Sequence, residues 1–202
     1  MTHELLAQEF DRRYFLTTLS YPHPRHSLLL GRFLAVTALT FGLSLLLAGT
    51  LALTVWLISQ NYAQATPVGL GYPFILTIIF INLDLLVLTA VGTLLAVAAS
   101  TSSFIFIGTF GFMLVARSYG AVVELLTRNT TVVNDVESYR SGVGLLSFLL
   151  PDLGALDVRM VALYDKLEFL PADWPWLVLS SLIYTVALLA LAVWALQRKR
   201  FA

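Results

Sequence analysis

Long uncharged stretches dominate the alternation of apolar and polar positions along this chain. Phe33 to Ile58 carries no ionisable group, and it exceeds the roughly 20 residues, at about 1.5 Å each, that a helix needs to cross about 30 Å of hydrocarbon. A second uncharged run, Leu85 to Ala116, is too long for one crossing and is broken by Ser100-Thr101-Ser102-Ser103, a polar cluster that reads as a tight turn. The helix before the turn extends back to Pro73, a residue suited to a first helical turn, and so takes Asn82 and Asp84 into the membrane. The helix after it starts near Ser102 and contains Arg117. A last run, Trp176 to Leu196, ends in Gln197-Arg198-Lys199-Arg200. The pattern predicts four spans, roughly 30–59, 73–99, 102–124 and 175–197.

A fifth span at 142–163 is rejected, because Pro151, Asp152, Asp157 and Arg159 would all lie in lipid. Gly142, Gly144 and Pro151 around the apolar Leu145–Leu150 suit a short helix that dips partway and returns under protein cover, or an ordinary surface helix. The expected fold is therefore an all-α polytopic membrane protein with four transmembrane helices, an N-terminal amphipathic helix and a partly helical outer loop over 125–173.

Composition strengthens this picture. The 202 residues are 58% hydrophobic and 12% charged, with a mean hydropathy of +0.84, too few charges to cover a soluble globule. Twelve basic and twelve acidic residues cancel, so no global field favours nucleic acid. The absence of cysteine removes disulfides and thiolate metal sites. His3, His23 and His26 precede the first span, so no histidine pair is available to a metal inside the membrane, and no metal site is expected.

Placement of charge gives orientation. Arg12, Arg13, Arg25 and Arg32 precede the first span and three basic residues follow the last, whereas the 60–72 connection has none and 125–173 is acidic in balance. Basic flanks mark the cytoplasmic side, so both termini are expected there, in agreement with an even number of spans. Trp56, Tyr62, Tyr72, Trp174 and Trp176 then gather at the outer interface. No cleavable signal is visible, since the first apolar run starts late and is long.

Residues 3–19 place Leu6, Phe10 and Tyr14 on one stripe with Glu4 and Asp11 away from it, the pattern of an amphipathic helix. Taken alone, this suits a helix lying on the headgroups. Pro22 and Pro24 exclude a continuous helix beyond it, so the chain makes a stiff elbow before turning into the membrane from about Leu28.

The stretch from Glu9 to Phe33 resembles the cytoplasmic coupling segment of the type 2 ABC transporter permease family. Leu19-Ser20-Tyr21-Pro22, Arg25 and Gly31-Arg32 fall at the family's spacing, and Glu9 stands where its acidic residue would. Arg13-Tyr14 replaces the common mid-helix Gly-Thr, and Arg32 replaces a lysine. Tyr184 to Phe201 is similar to the family's last helix and basic-aromatic ending, and Leu149-Leu150-Pro151-Asp152-Leu153 to its outer loop.

This resemblance implies a permease subunit of an ATP-driven exporter in a prokaryotic plasma membrane. Residues 1–29 would form the coupling segment and 30–202 the transmembrane domain. Glu9, Pro22, Arg25, Gly31 and Arg32 would shape the contact with a separate ATP-binding cassette ATPase subunit. That partner would supply ATP and Mg, since no Gly-x-x-x-x-Gly-Lys-Ser/Thr occurs in this chain. A second permease subunit, identical or different, and membrane lipid complete the implied partners. No catalytic residue or cofactor is expected in this chain. Family permeases have six spans, with the coupling segment between the second and third, so four spans imply either a truncated chain or two helices from another polypeptide. The alternative is a non-transporting structural or assembly protein that docks a cytoplasmic partner.

Asp84 is the most informative single residue, because an ionised carboxylate within the bilayer costs at least about 2.5 kcal/mol. Depths counted along antiparallel neighbours put Arg117 about 8 Å from its level, within reach of an arginine. An Asp84–Arg117 contact is one reading. A protonated or locally bonded Asp84 and an Arg117 that extends to the interface are the others. Asn82 adds a polar group on a different helix face. Small-residue stripes at Gly92, Ala96 and Ser100, and at Ala38 and Gly42, permit close helix contact.

Overall fold

Residues 25–61, 70–99, 101–128 and 151–198 are described by the computed structural model. They form four long helices, α1 (Arg25–Asn61), α2 (Tyr72–Ala98), α3 (Ser102–Arg128) and α5 (Trp174–Arg198), with a short helix α4 (Arg159–Tyr164) and a 3₁₀ turn (Leu167–Phe169) between α3 and α5. No strand occurs among the described residues. All four long helices are long and apolar enough to cross a membrane, which makes the chain a multi-pass membrane protein by length and composition.

The helix ends follow local chemistry. Pro73 sits in the first turn of α2, where a missing backbone N–H leaves no bond unmade. At the other end Ala99 turns extended while its N–H donates to the Leu95 carbonyl at 2.7 Å, and α3 starts at Ser102, so the break between the two helices falls where it is predicted. The first helix differs most from expectation. α1 begins at Arg25 rather than near residue 30 and runs without interruption for 37 residues. At about 1.5 Å per residue it is roughly 55 Å long, well beyond the thickness of a bilayer's hydrocarbon.

α2 is the hub. It touches α1, α3, α4 and α5, and its contact with α5 is the most extensive. The interior is stacked in layers along it. Leu29, Val97, Ala192 and Leu196 close one end, Phe33, Ala90, Val91 and Leu188 fill the middle, and Leu76, Phe80, Val87 and Ala116 form the far layer. Three buried hydroxyls in this packing are bonded within their own helices. Thr89 donates to Leu85 O at 2.7 Å, Thr93 to Thr89 O at 2.7 Å and Thr185 to Ser181 O at 2.9 Å, which satisfies groups that lipid cannot.

The far layer is completed by chain that lies outside the long helices. Leu153, Leu156, Val158 and Val161 are buried in the same cluster as Phe80 and Val87. Residues 151–158 are non-helical and α4 has only six residues, so this part of the rejected fifth span does not cross. Leu153, Leu156 and Val158 turn inward from this irregular backbone, while Asp157 is exposed. The predicted dipping helix around Leu145–Leu150 and the amphipathic helix over 3–19 lie outside the described residues, as do the connection 62–69 and Tyr62.

Candidate functional site

Asp84 and Arg117 meet. Both are placed by the short connection between α2 and α3, from which Asp84 stands 14 residues up one helix and Arg117 15 residues up the other. That makes them level within about 2 Å, closer than the 8 Å gap expected when each depth was taken from its own helix start. The difference arises because α2, at 27 residues, is about 40 Å long and overshoots the hydrocarbon. Asp84 and Arg117 therefore lie about 21 Å and 22 Å along their helices from the α2–α3 connection. Arg117 Nη2 donates to Asp84 Oδ2.

The pair is asymmetric. The Asp84 side chain is only 10% accessible, whereas that of Arg117 is 41% accessible, so the arginine reaches in from an open face toward a carboxylate held in the core. Asp84 Oδ1 is buried and has no hydrogen-bond partner among the described residues. Asn82, two residues earlier, projects to the other side of α2 and donates to Ser44 Oγ of α1 at 3.0 Å and to Ile78 O at 2.8 Å. Two adjacent polar positions thus tie α2 to two different helices, a consequence of the roughly 200° turn that two helical residues make.

The chain after residue 150 is seated on α3 next to this pair. A methyl group added at Gly154 would lie 3.0 Å from the Arg117 carbonyl oxygen, and one added at Gly120 would lie 2.8 Å from Asp152 Oδ2. The backbone contact makes Gly154 the tighter constraint, since at Gly120 the neighbour is a side-chain carboxylate that can shift, and neither has a positive φ. Asp152 Oδ1 accepts from Ala155 N–H at 3.1 Å, which closes the turn. Beyond it Arg159 donates through Nε to Asp157 Oδ1 at 2.6 Å and through Nη2 to Asp157 Oδ2 at 2.5 Å. These bonds, ahead of a weaker pull from Arg117, hold the Asp157 carboxyl below its ordinary value, and the same carboxylate raises the Arg159 guanidinium.

Of the remaining residues singled out in the sequence, Arg25, Gly31 and Arg32 fall on the first two turns of α1, while Glu9 and Pro22 lie outside the described residues. Gly31 is exposed and an added methyl group would meet nothing within 4 Å, so packing does not require glycine there. The Ala38 and Gly42 stripe is likewise exposed, whereas Gly92 and Ala96 are buried and Ala96 packs on Ile105 of α3. The Asp157–Arg159 pair and the two close-approach glycines were not singled out. The spacing of Leu153, Leu156, Val158 and Val161, four apolar residues amid charges, was the available signal.

Comparison of the chain with protein family models, with curated proteins and with solved structures gives no match in any of the three.

Proposed function

We propose that this chain is a membrane-spanning permease subunit of an ATP-driven transporter of the type 2 ABC class, working as an exporter beside a separate ATPase. One observation carries the reading: the succession Leu19-Ser20-Tyr21-Pro22, Arg25 and Gly31-Arg32 leads directly into a membrane helix, and that helix, α1, starts at Arg25. The residues before α1 would lie against a groove of the ATPase, with Glu9 and Pro22 shaping the elbow and Arg25, Gly31 and Arg32 on the first turns of the helix it leads into. A stiff helix of 37 residues with its first turns at such an elbow is a suitable lever, because a push at one end moves the other. Two permease subunits would pair, with both termini of each in the cytoplasm of a prokaryote. ATP and Mg belong to the ATPase, and no bond is made or broken by this chain.

Affinity purification of the full chain from its native membrane, with ATP hydrolysis as the readout, tests the reading. An ATP-binding cassette subunit is expected to co-purify and to be lost when Pro22→Ala and Arg25→Glu are combined, with helix content by circular dichroism unchanged. If no ATPase accompanies the chain, or if the double variant retains it, transport is rejected and a structural or assembly role takes its place.

A further inference from the structure

The helices part along the C-terminal half of α1. Leu29 and Phe33 are buried against α2 and α5, Val36 is buried as well, and no described residue of α1 after Val36 is buried. α1 therefore leans on the bundle at its start and leaves α2 above Thr40, where Asn82 bonds Ser44 across the gap. The gap is a cleft of about 1050 Å³, floored by α2, walled by α1 on one side and by α4 on the other.

Its dimensions match a lipid of one leaflet. It follows α2 from Phe74 to Leu85 and α1 from Thr40 to Leu51, about 16 Å in each case, against about 15 Å for half of the hydrocarbon. Its walls are apolar, with Leu47, Ile78, Ile81 and Leu163 among them. Charge appears only toward one end, where Asp157 and Arg159 line it. That end is fixed by Thr77, which shares its layer with Val158 through a 3.4 Å bond from Thr77 Oγ1 to the Val158 carbonyl. Counted from the α2–α3 connection, about 20 residues of α2 fill the hydrocarbon, so Thr77 and the charged pair lie at the headgroup level. Arg159 spends two of its five N–H donors on Asp157, and its side chain is 74% accessible. Three donors remain for a phosphate, the group that a guanidinium fork fits best.

We propose that the cleft between α1, α2 and α4 is a binding site for one membrane phospholipid, its acyl chains between Leu47 and Ile81 and its phosphate on Arg159. The neutralising Asp157 sets this site apart from a bare basic patch, so a zwitterionic headgroup suits it. The site requires no ATPase, so its test stands apart from that of transport.

The full chain is reconstituted in phosphatidylethanolamine vesicles with a trace of phosphatidylethanolamine bearing a photoreactive diazirine on one acyl chain, and labelled residues are mapped by mass spectrometry. Labelling is expected to concentrate on Leu47, Ala48, Ile78 and Ile81 over Phe106 and Ile183, which lie on other faces and are more exposed than Ala48, Ile78 and Ile81. Arg159→Gln should reduce cleft labelling by roughly tenfold, the worth of one charge-assisted bond, and Arg159→Lys should recover part of it. Ala48→Trp, which fills the cleft from an unpacked helix face, should abolish it with helix content retained. A diacylglycerol probe of the same chains should show no preference for the cleft. Equal labelling of the cleft and of Phe106 and Ile183, or cleft labelling unchanged in Arg159→Gln, overturns the proposal and leaves only a fluid lipid shell.

Discussion

α1 and α2 are both apolar enough to span a membrane, yet none of the most apolar window of α1 is buried and half of that of α2 is. In water the two would compete equally for the interior. In lipid they do not, because hydrocarbon solvates leucine as well as protein does, and apolar surface alone gives a helix no reason to leave it. What separates the two is the placement of polar side chains. Asn82 and Asp84 need partners on opposite sides of α2 and find them in Ser44 and Arg117. The hydroxyls on the C-terminal part of α1 are satisfied by their own helix, with Thr50 bonded to Leu47 O, Thr54 to Leu51 O and Ser59 to Trp56 O. Two polar residues make α2 the centre, and their absence leaves α1 free to splay.

The strongest way to break this comparison is to remove the ion pair from each side in turn. Arg117→Leu leaves the buried Asp84 carboxylate unpaired and should cost about 3 kcal/mol. Asp84→Leu should cost less, because the Arg117 side chain, already 41% accessible, can extend to the interface. The double variant should be more stable than Arg117→Leu alone, and Arg117→Asp should rescue Asp84→Arg. Unfolding of the purified chain in detergent measures all of these, and the reverse order of the single variants would deny the pair its role.

A second, smaller contrast compares truncation in the two helices. Phe80, 1% exposed in α2, should cost about 2 kcal/mol as Phe80→Ala, the packing share of a core deletion without the transfer share that lipid cancels. Leu47→Ala, at a position 59% exposed on α1, should leave stability within about 0.5 kcal/mol of the parent. Equal losses would show that α1 packs on something other than lipid.

The smallest effect concerns pH at the edge of the bundle. Asp157 is held below its ordinary value of 3.8, chiefly by its bonds to Arg159. Its contribution is complete above the unfolded-state value and is lost as pH falls through the lower folded-state one. The pair is exposed, so the loss should stay under about 1 kcal/mol. Titration of stability below pH 4 should therefore show a shallow acid-side decline that Arg159→Gln flattens.

Much of this architecture was legible in the amino-acid order because hydropathy, helix length and turn chemistry are local properties. The four long helices, the reversal near Ser100 and the opposed faces of Asn82 and Asp84 follow from counting residues at 1.5 Å and 100° each. The same counting brought Arg117 within reach of Asp84, although it overstated the gap between their levels by starting from the far end of α2 rather than from the α2–α3 connection. Pairwise arrangement is another matter. That α2 rather than α1 occupies the centre, that Leu153 to Val161 fill the far layer of the core, and that Gly120 and Gly154 admit Asp152 and the Arg117 carbonyl all depend on residues distant in sequence. So does the cleft beside Arg159. Only tertiary structure decided these, because lipid makes every apolar face equally comfortable and leaves the choice to a few polar contacts and close approaches that no single segment contains.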